Sequence, residues 1–246
     1  MIVSFSSVKG GVGKTVGCVN LAYYVGVIKK HKTLVVDLDC QGGATHNLSA
    51  KYKKKFRASL HELLCGKAAL KSAIHEYEKG LHFIPGNYNL HKSIETNFAK
   101  SFKAFLGKVK SKYDFIFLDL SPAIYEGTSV PLSLSDQVII PVDCPGGLGL
   151  LGLDAAKKQF ADIRGINKDL DVLGILPNMV DRTRVSKSVL SYLQETFPND
   201  VFPGIRRNAA IAQSSSLGKT IFEYKKKANG IDDYTALGKE FLRRAK

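Results

Sequence analysis

The chain has 246 residues, 44% apolar and 24% charged, a balance that excludes fibrous and intrinsically disordered proteins and supplies the core of one large domain spanning 1–246. Its four cysteines (Cys18, Cys40, Cys65, Cys144) stand singly, which argues against a paired metal motif or a secreted disulfide framework, and no apolar run approaches the roughly 18 residues of a membrane span, so a cytoplasmic protein is expected. Net charge is +14 and segregated: 51–112 holds 14 Lys/Arg against 4 Asp/Glu, 113–181 holds 4 against 10, and 182–246 holds 13 against 6, which fits a polyanionic partner, nucleic acid or anionic membrane, as well as a plain solvated face.

In chain order, a strand is predicted at Ile2–Ser6, a helix at Lys14–Val27, a strand at Thr33–Leu38, a helix at Leu60–Leu64, a strand at Leu81–Ile84 and a helix at Leu90–Val109. Strands follow at Phe115–Leu120 and Gln137–Val142, then a helix at Leu150–Ile163, a strand at Val172–Leu176, a helix at Val185–Thr196 and a last amphipathic pattern over Asp232–Lys246. Several strands are apolar throughout, as strands covered on both faces are, so the pattern predicts a three-layer, doubly wound, mostly parallel sheet. Ligands of such sheets bind beyond the carboxyl ends of the strands, where the motifs below fall.

The first strand runs into Ser7-Val8-Lys9-Gly10-Gly11-Val12-Gly13-Lys14-Thr15, which opens a helix. That is the context of a phosphate loop: glycines let backbone N–H groups turn toward an anion, the helix N-terminus adds positive potential, Lys14 reaches the β and γ phosphates, and the Thr15 hydroxyl ligates Mg²⁺. Val8 stands where the general pattern has its first glycine, and an additional lysine, Lys9, precedes the glycines.

Lys-Gly-Gly-Val-Gly-Lys-Thr resembles the deviant phosphate loop (deviant Walker A) of the ParA/MinD family of ATPases. The resemblance implies ATP and Mg²⁺ as cofactors, a homodimer in the ATP state, and a Lys9 that crosses the dimer interface to the partner's nucleotide, neutralising transition-state charge as an arginine finger does. Gly10 to Val16 then line the nucleotide. Asp37-Leu38-Asp39-Cys40-Gln41-Gly42-Gly43-Ala44-Thr45 is similar to the family's Asp-x-Asp-Pro-Gln-Gly-Asn-x-Thr segment, which makes Asp39 the residue that orients the attacking water and gives Asp37 a place near Mg²⁺. Alone, the two aspartates read equally as caps of a turn. Cys40 replaces the family's proline and Gly43 its asparagine. Asp119, closing an apolar strand, has the form of the second Mg²⁺ motif, continued here by Leu120-Ser121-Pro122. Gly174 to Thr183 resembles the family segment beside the adenine, with Asn178 suited to read the base edge. Arg206 stands in place of a closing proline, and Gln213 in place of a glutamate.

The same core serves several cargoes. A ParA-type chromosome or plasmid partition ATPase would coat nucleoid DNA non-specifically and respond to a ParB-like centromere-binding protein; Lys53, Lys54, Lys55, Arg206 and Arg207 are the candidate DNA contacts. Because the sequence opens directly on its first strand, specific operator binding through a preceding helix-turn-helix is not expected. A MinD-type positioning ATPase needs a membrane-inserting amphipathic helix. The Asp232–Lys246 pattern suits packing on the sheet better, so no stable membrane association is expected. A metal-handling relative needs matched cysteines, and the cysteines here are expected to be buried apolar residues. A small-molecule kinase needs neither Lys9 nor the Asp37 to Thr45 motif.

Overall fold

A computed structural model describes residues 1–50, 56–94, 97–122, 125–146, 167–168, 170–225 and 227–245. Its centre is a seven-stranded sheet made of β1 (Ile2–Phe5), β2 (Thr33–Leu38), β3 (His75–Glu78), β4 (Leu81–Ile84), β5 (Phe115–Leu120), β6 (Gln137–Asp143) and β7 (Asp171–Asn178). The order is β3-β4-β2-β5-β1-β6-β7, with every pairing parallel except β3 on β4. Side chains alternate across each strand. Leu34, Val36, Leu38, Ile116, Leu118 and Ile140 belong to one buried cluster, and Val3, Phe5, Val35, Phe117 and Ile139 to the other.

Helices cover both faces. The first cluster takes in α3 (Leu60–Leu64), α5 (Leu90–Ile94), α6 (Phe98–Val109), α7 (Glu126–Ser133) and α8 (Arg184–Thr196); the second takes in α1 (Lys14–Tyr23), α2 (Gly43–Asn47), α10 (Ile221–Tyr224) and α11 (Asn229–Arg244). The short α4 (Leu70–Ala73) precedes β3, and α9 (Ala209–Ser216) precedes α10. The expected three-layer architecture is the one observed.

Several elements differ from the sequence pattern, some of them for local reasons. The helix expected over 14–27 ends as α at Tyr23 and continues as a π turn, Tyr24–Ile28. There Gly26 meets Gly80 backbone to backbone: a Cβ on Gly80 would lie 2.3 Å from the Gly26 carbonyl oxygen, an approach closed to other residues. The helix expected over 90–109 is divided into α5 and α6, with Asn97 left-handed at φ 61° before α6. β3, His-Glu-Tyr-Glu, was not expected at all and pairs antiparallel to β4 with a register shift at Glu76/Glu78. The helix expected at Leu150–Ile163 lies outside the described residues.

The last helix packs as expected. Tyr234, Leu237 and Phe241 are buried in the second cluster, and the Arg244 guanidinium, 4.2 Å over the Phe202 ring, donates to the carbonyls of Leu173 and Val201 at 3.1 and 2.9 Å. Among the described residues no helix is long and apolar enough to cross a membrane.

Candidate active site

The loop between β1 and α1 leaves the middle of the sheet and turns back through Gly11 and Gly13, at φ 75° and 85°, angles that glycine adopts without strain. Gly13 is required twice over, since a Cβ there would lie 2.0 Å from the Asn178 amide nitrogen. The buried Lys14 points back into the loop, its Nζ 3.3 Å from the Lys9 carbonyl oxygen. Burial lowers its pKa, while the carboxylates of Asp119 and Asp39 act to raise it.

The acids gather because of strand register. Asp37 and Asp119 are partners across the β2–β5 pairing, and Phe5, last in β1, is the neighbour of Asp119. The two carboxylates therefore end adjacent strands on one face. Asp37 accepts from the Thr45 amide and hydroxyl at 2.7 and 2.6 Å and from the Asp39 amide at 3.1 Å. Burial nevertheless pushes its pKa up to about 6. Asp119 is completely buried, and neither carboxylate oxygen accepts a well-formed hydrogen bond among the described residues. Burial first, then the Asp37 carboxylate, drive its pKa well above the usual range, with the Thr15 hydroxyl acting the other way.

Two buried carboxylates, one without a well-formed hydrogen bond among the described residues, beside a hydroxyl form a hard oxygen donor set suited to Mg²⁺, and the divalent charge would relieve their mutual repulsion. The expected metal residues, Thr15, Asp37 and Asp119, thus fit the ion. Asp39 follows β2, its Oδ1 accepting from the Gln41 amide at 2.9 Å. It stands close enough to Lys14 to affect its titration.

Lys9 has a separate place. Its ammonium pairs with Asp143, the last residue of β6, at 3.1 Å, with side chains 32% and 18% exposed. Asn178, at the end of β7, donates to the Val12 carbonyl at 2.7 Å and accepts from the Met179 amide at 2.9 Å. It therefore props the phosphate loop, a contact that base reading alone does not anticipate. Beside it opens a cavity of about 430 Å³ lined by Gly13, Val16, Asn178, Met179, Ile205 and Ile211 among others. Its size suits a planar ring.

Other expected contacts are placed differently. The Arg206 guanidinium is committed to Asp233, at 2.7 Å, and to the Asn229 carbonyl at 3.2 Å, so much of its charge is neutralised. Arg207, 67% exposed, pairs loosely with Asp181 at 3.6 Å. Lys53, Lys54 and Lys55 lie outside the described residues. Cysteine burial was half right: Cys18 and Cys144 are buried, Cys40 is half-buried and Cys65 is exposed.

Sequence reading missed Asp143 and the support of Asp37. Asp143 carried the same signal as Asp119, an acid closing an apolar strand. Gly86, after β4, donates its amide to the Thr45 hydroxyl at 2.8 Å, and a Cβ on it would lie 2.7 Å from the Asp37 carbonyl oxygen. No local pattern marks that approach.

Residues 1–172 match the family described as AAA domain. The chain is 31% identical to the chromosome-partitioning ATPase Soj of Thermus thermophilus over 98% of this chain and 95% of that protein, and 30% identical to the chromosome partitioning protein ParA of Myxococcus xanthus over 99% and 88%. In fold it is similar to a putative plasmid partition protein of Borrelia burgdorferi bound to AMPPNP, with TM-score 0.81, 22% identity and coverage of 99% of this chain and 98% of that one.

Proposed function

The chain belongs to the ParA/MinD-type P-loop ATPases, and on that premise we propose that it is a partition ATPase whose ATP-bound dimer holds DNA and whose hydrolysis releases it. Two copies close face to face over their nucleotides. Lys14 serves the phosphates of its own subunit, Thr15, Asp37 and Asp119 hold Mg²⁺, Asp39 aligns the attacking water, and Asn178 and Val16 border the base. Bound Mg²⁺ would supply charge neutralisation at the phosphates. Lys9 crosses to the partner's nucleotide. The closed dimer binds DNA without sequence preference, about 10⁻⁴ to 10⁻⁶ M per site, in the nucleoid of the cytoplasm, and a ParB-like protein stimulates its turnover.

The observation that carries this reading is the division between the two lysines. Lys14 is buried in its own loop, whereas Lys9 sits partly exposed on a single ion pair at the mouth of the site, the position from which a side chain can be handed to another subunit. The relatives named for chromosome partitioning match across nearly the whole chain.

The test is cosedimentation of wild type and Asp39→Ala with random-sequence duplex DNA and with anionic liposomes, each with ATP or ADP. Wild type should pellet with DNA in ATP and much less in ADP, and Asp39→Ala should stay on DNA while ATP turnover falls at least about 100-fold. Pelleting with liposomes alone would transfer the chain to the membrane-positioning class.

A further inference from the structure

A cavity lies at the opposite end of the sheet from the phosphate loop. It measures about 740 Å³, inside the range of about 300 to 1,000 Å³ typical of small-molecule sites. It forms where the chain enters β2, β4 and β5: Lys32 precedes β2, Gly80 precedes β4, and Lys112 and Tyr113 precede β5. Lys30 and Lys79 complete the basic rim, and Val27, His82 and Tyr113 supply its less polar wall.

The charge arrangement is unusual for a mere groove. None of the ammonium groups of Lys30, Lys32, Lys79 and Lys112 forms an ion pair or hydrogen bond among the described residues. Surface lysines normally disperse or find carboxylates, because four like charges around one concavity repel. Glu76 and Glu78 in the wall offset half of the charge and leave an excess of two. Lys30 sits at φ 64°, in the left-handed position that follows the π turn and that glycine or asparagine fills most readily.

The wall offers aromatic rings as well as charge. The rings of His82 and Tyr113 meet edge to face, with centroids 5.6 Å apart at 81°. Burial lowers the His82 pKa, so the imidazole adds a neutral ring rather than another cation, and its Nδ1 is buried with no hydrogen-bond partner among the described residues.

We propose that this cavity is a second anion site, taking a small phosphorylated ligand of nucleotide size whose phosphoryl groups lie among the four lysines and whose ring rests on Tyr113 and His82. Its occupancy does not depend on the proposed DNA partner. Because it uses the amino ends of the strands, it leaves the phosphate loop free.

The experiment measures binding of GDP and of inorganic pyrophosphate by titration calorimetry at low salt, in a Lys14→Ala background that disables the phosphate loop. One GDP per chain is expected. The combined change Lys30→Glu, Lys79→Glu and Lys112→Glu should weaken both probes about tenfold or more, whereas Tyr113→Ala should weaken GDP and leave pyrophosphate within about twofold. The three lysines are exposed, and an unchanged melting temperature excludes misfolding as the cause. Absence of binding, or equal affinity in the triple variant, overturns the site. Equal affinity for both probes overturns the ring contact. Loss of duplex DNA retention in the triple variant, with no binding of either small anion, assigns the face to a macromolecule and also overturns the proposal.

Discussion

Asp119 illustrates how a site can store repulsion until its ligand arrives. An acid whose folded pKa is raised binds more protons in the folded than in the unfolded state, so its contribution is favourable below the unfolded value near 4 and is lost as pH rises toward the folded value. Asp37, pushed up to about 6, and Asp119, driven well above the usual carboxylate range, both follow that sign. In chelator, the protein should therefore lose stability between about pH 4 and pH 7 through this pair. Asp119→Asn should raise the metal-free melting temperature at pH 7.5 by roughly 3 to 6 °C, the equivalent of about 1.5 kcal/mol in a chain of this size, and should narrow the difference between pH 5 and pH 7.5. Scanning calorimetry at both pH values checks this; a lower melting temperature for the variant at pH 7.5 would show that the carboxylate is better satisfied than its surroundings suggest. Asp119 was legible in the sequence because it closes an apolar strand, and Asp37 through the likeness of its segment to the family motif. Lys9 on Asp143 and Thr45 on Asp37 were less so: the first joins positions far apart in the chain, and the second depends on how α2 folds back.

At the scale of elements, glycine contacts decide how helices meet the sheet. Gly238 of α11 lies against the Tyr24 ring, where a Cβ would come within 2.0 Å of a ring carbon, and Tyr24 is itself fully buried. Gly238→Ala gains helix propensity of about 1 kcal/mol but forces the ring or the helix to move. Overpacking of a rigid core costs about 1 to 3 kcal/mol, and a clash this close belongs at the upper end. Net destabilisation of about 1 to 2 kcal/mol in urea is expected, while Gly107→Ala, where a Cβ meets nothing within 4 Å in α6, should be stabilising. The elements that carry the predicted bounds are mostly apolar, whatever their length: β2, β4, β5 and the five-residue α3. Those it missed are short or polar. α2, α4 and α10 have too few residues to show a helical period, and β3 alternates charges with a single buried residue, Tyr77. The break between α5 and α6 falls at Asn97, whose backbone conformation a hydrophobic pattern does not encode.

For the whole molecule, the ion pair of Lys9 with Asp143 would compete with the proposed dimerisation. If Lys9 acts on the partner's nucleotide, it must leave Asp143, and a partly exposed pair of this kind is worth about 0.5 to 1 kcal/mol after screening. Because a dimer breaks two such pairs, Asp143→Asn should strengthen ATP-dependent dimerisation about five- to thirtyfold in analytical ultracentrifugation, with no such gain in a Lys9→Ala background. A gain that persists without Lys9 would separate Asp143 from the switch. The fold class was readable from alternation alone, but the meeting of Lys9 with β6 required the strand order, in which β6 lies next to β1.

The two flanks of the sheet carry a consequence for how copies of this chain can join. On one side the outermost strand is only four residues long, rich in charge and out of step with its neighbour. On the other, Val201 bridges Ile175 and so occupies hydrogen-bonding positions of the outermost strand. Each flank discourages the lateral growth that long, flat, apolar borders invite. In the proposed dimer, copies would then join not by fibre-like stacking but through the ends of the strands, where a bound molecule could govern whether they meet.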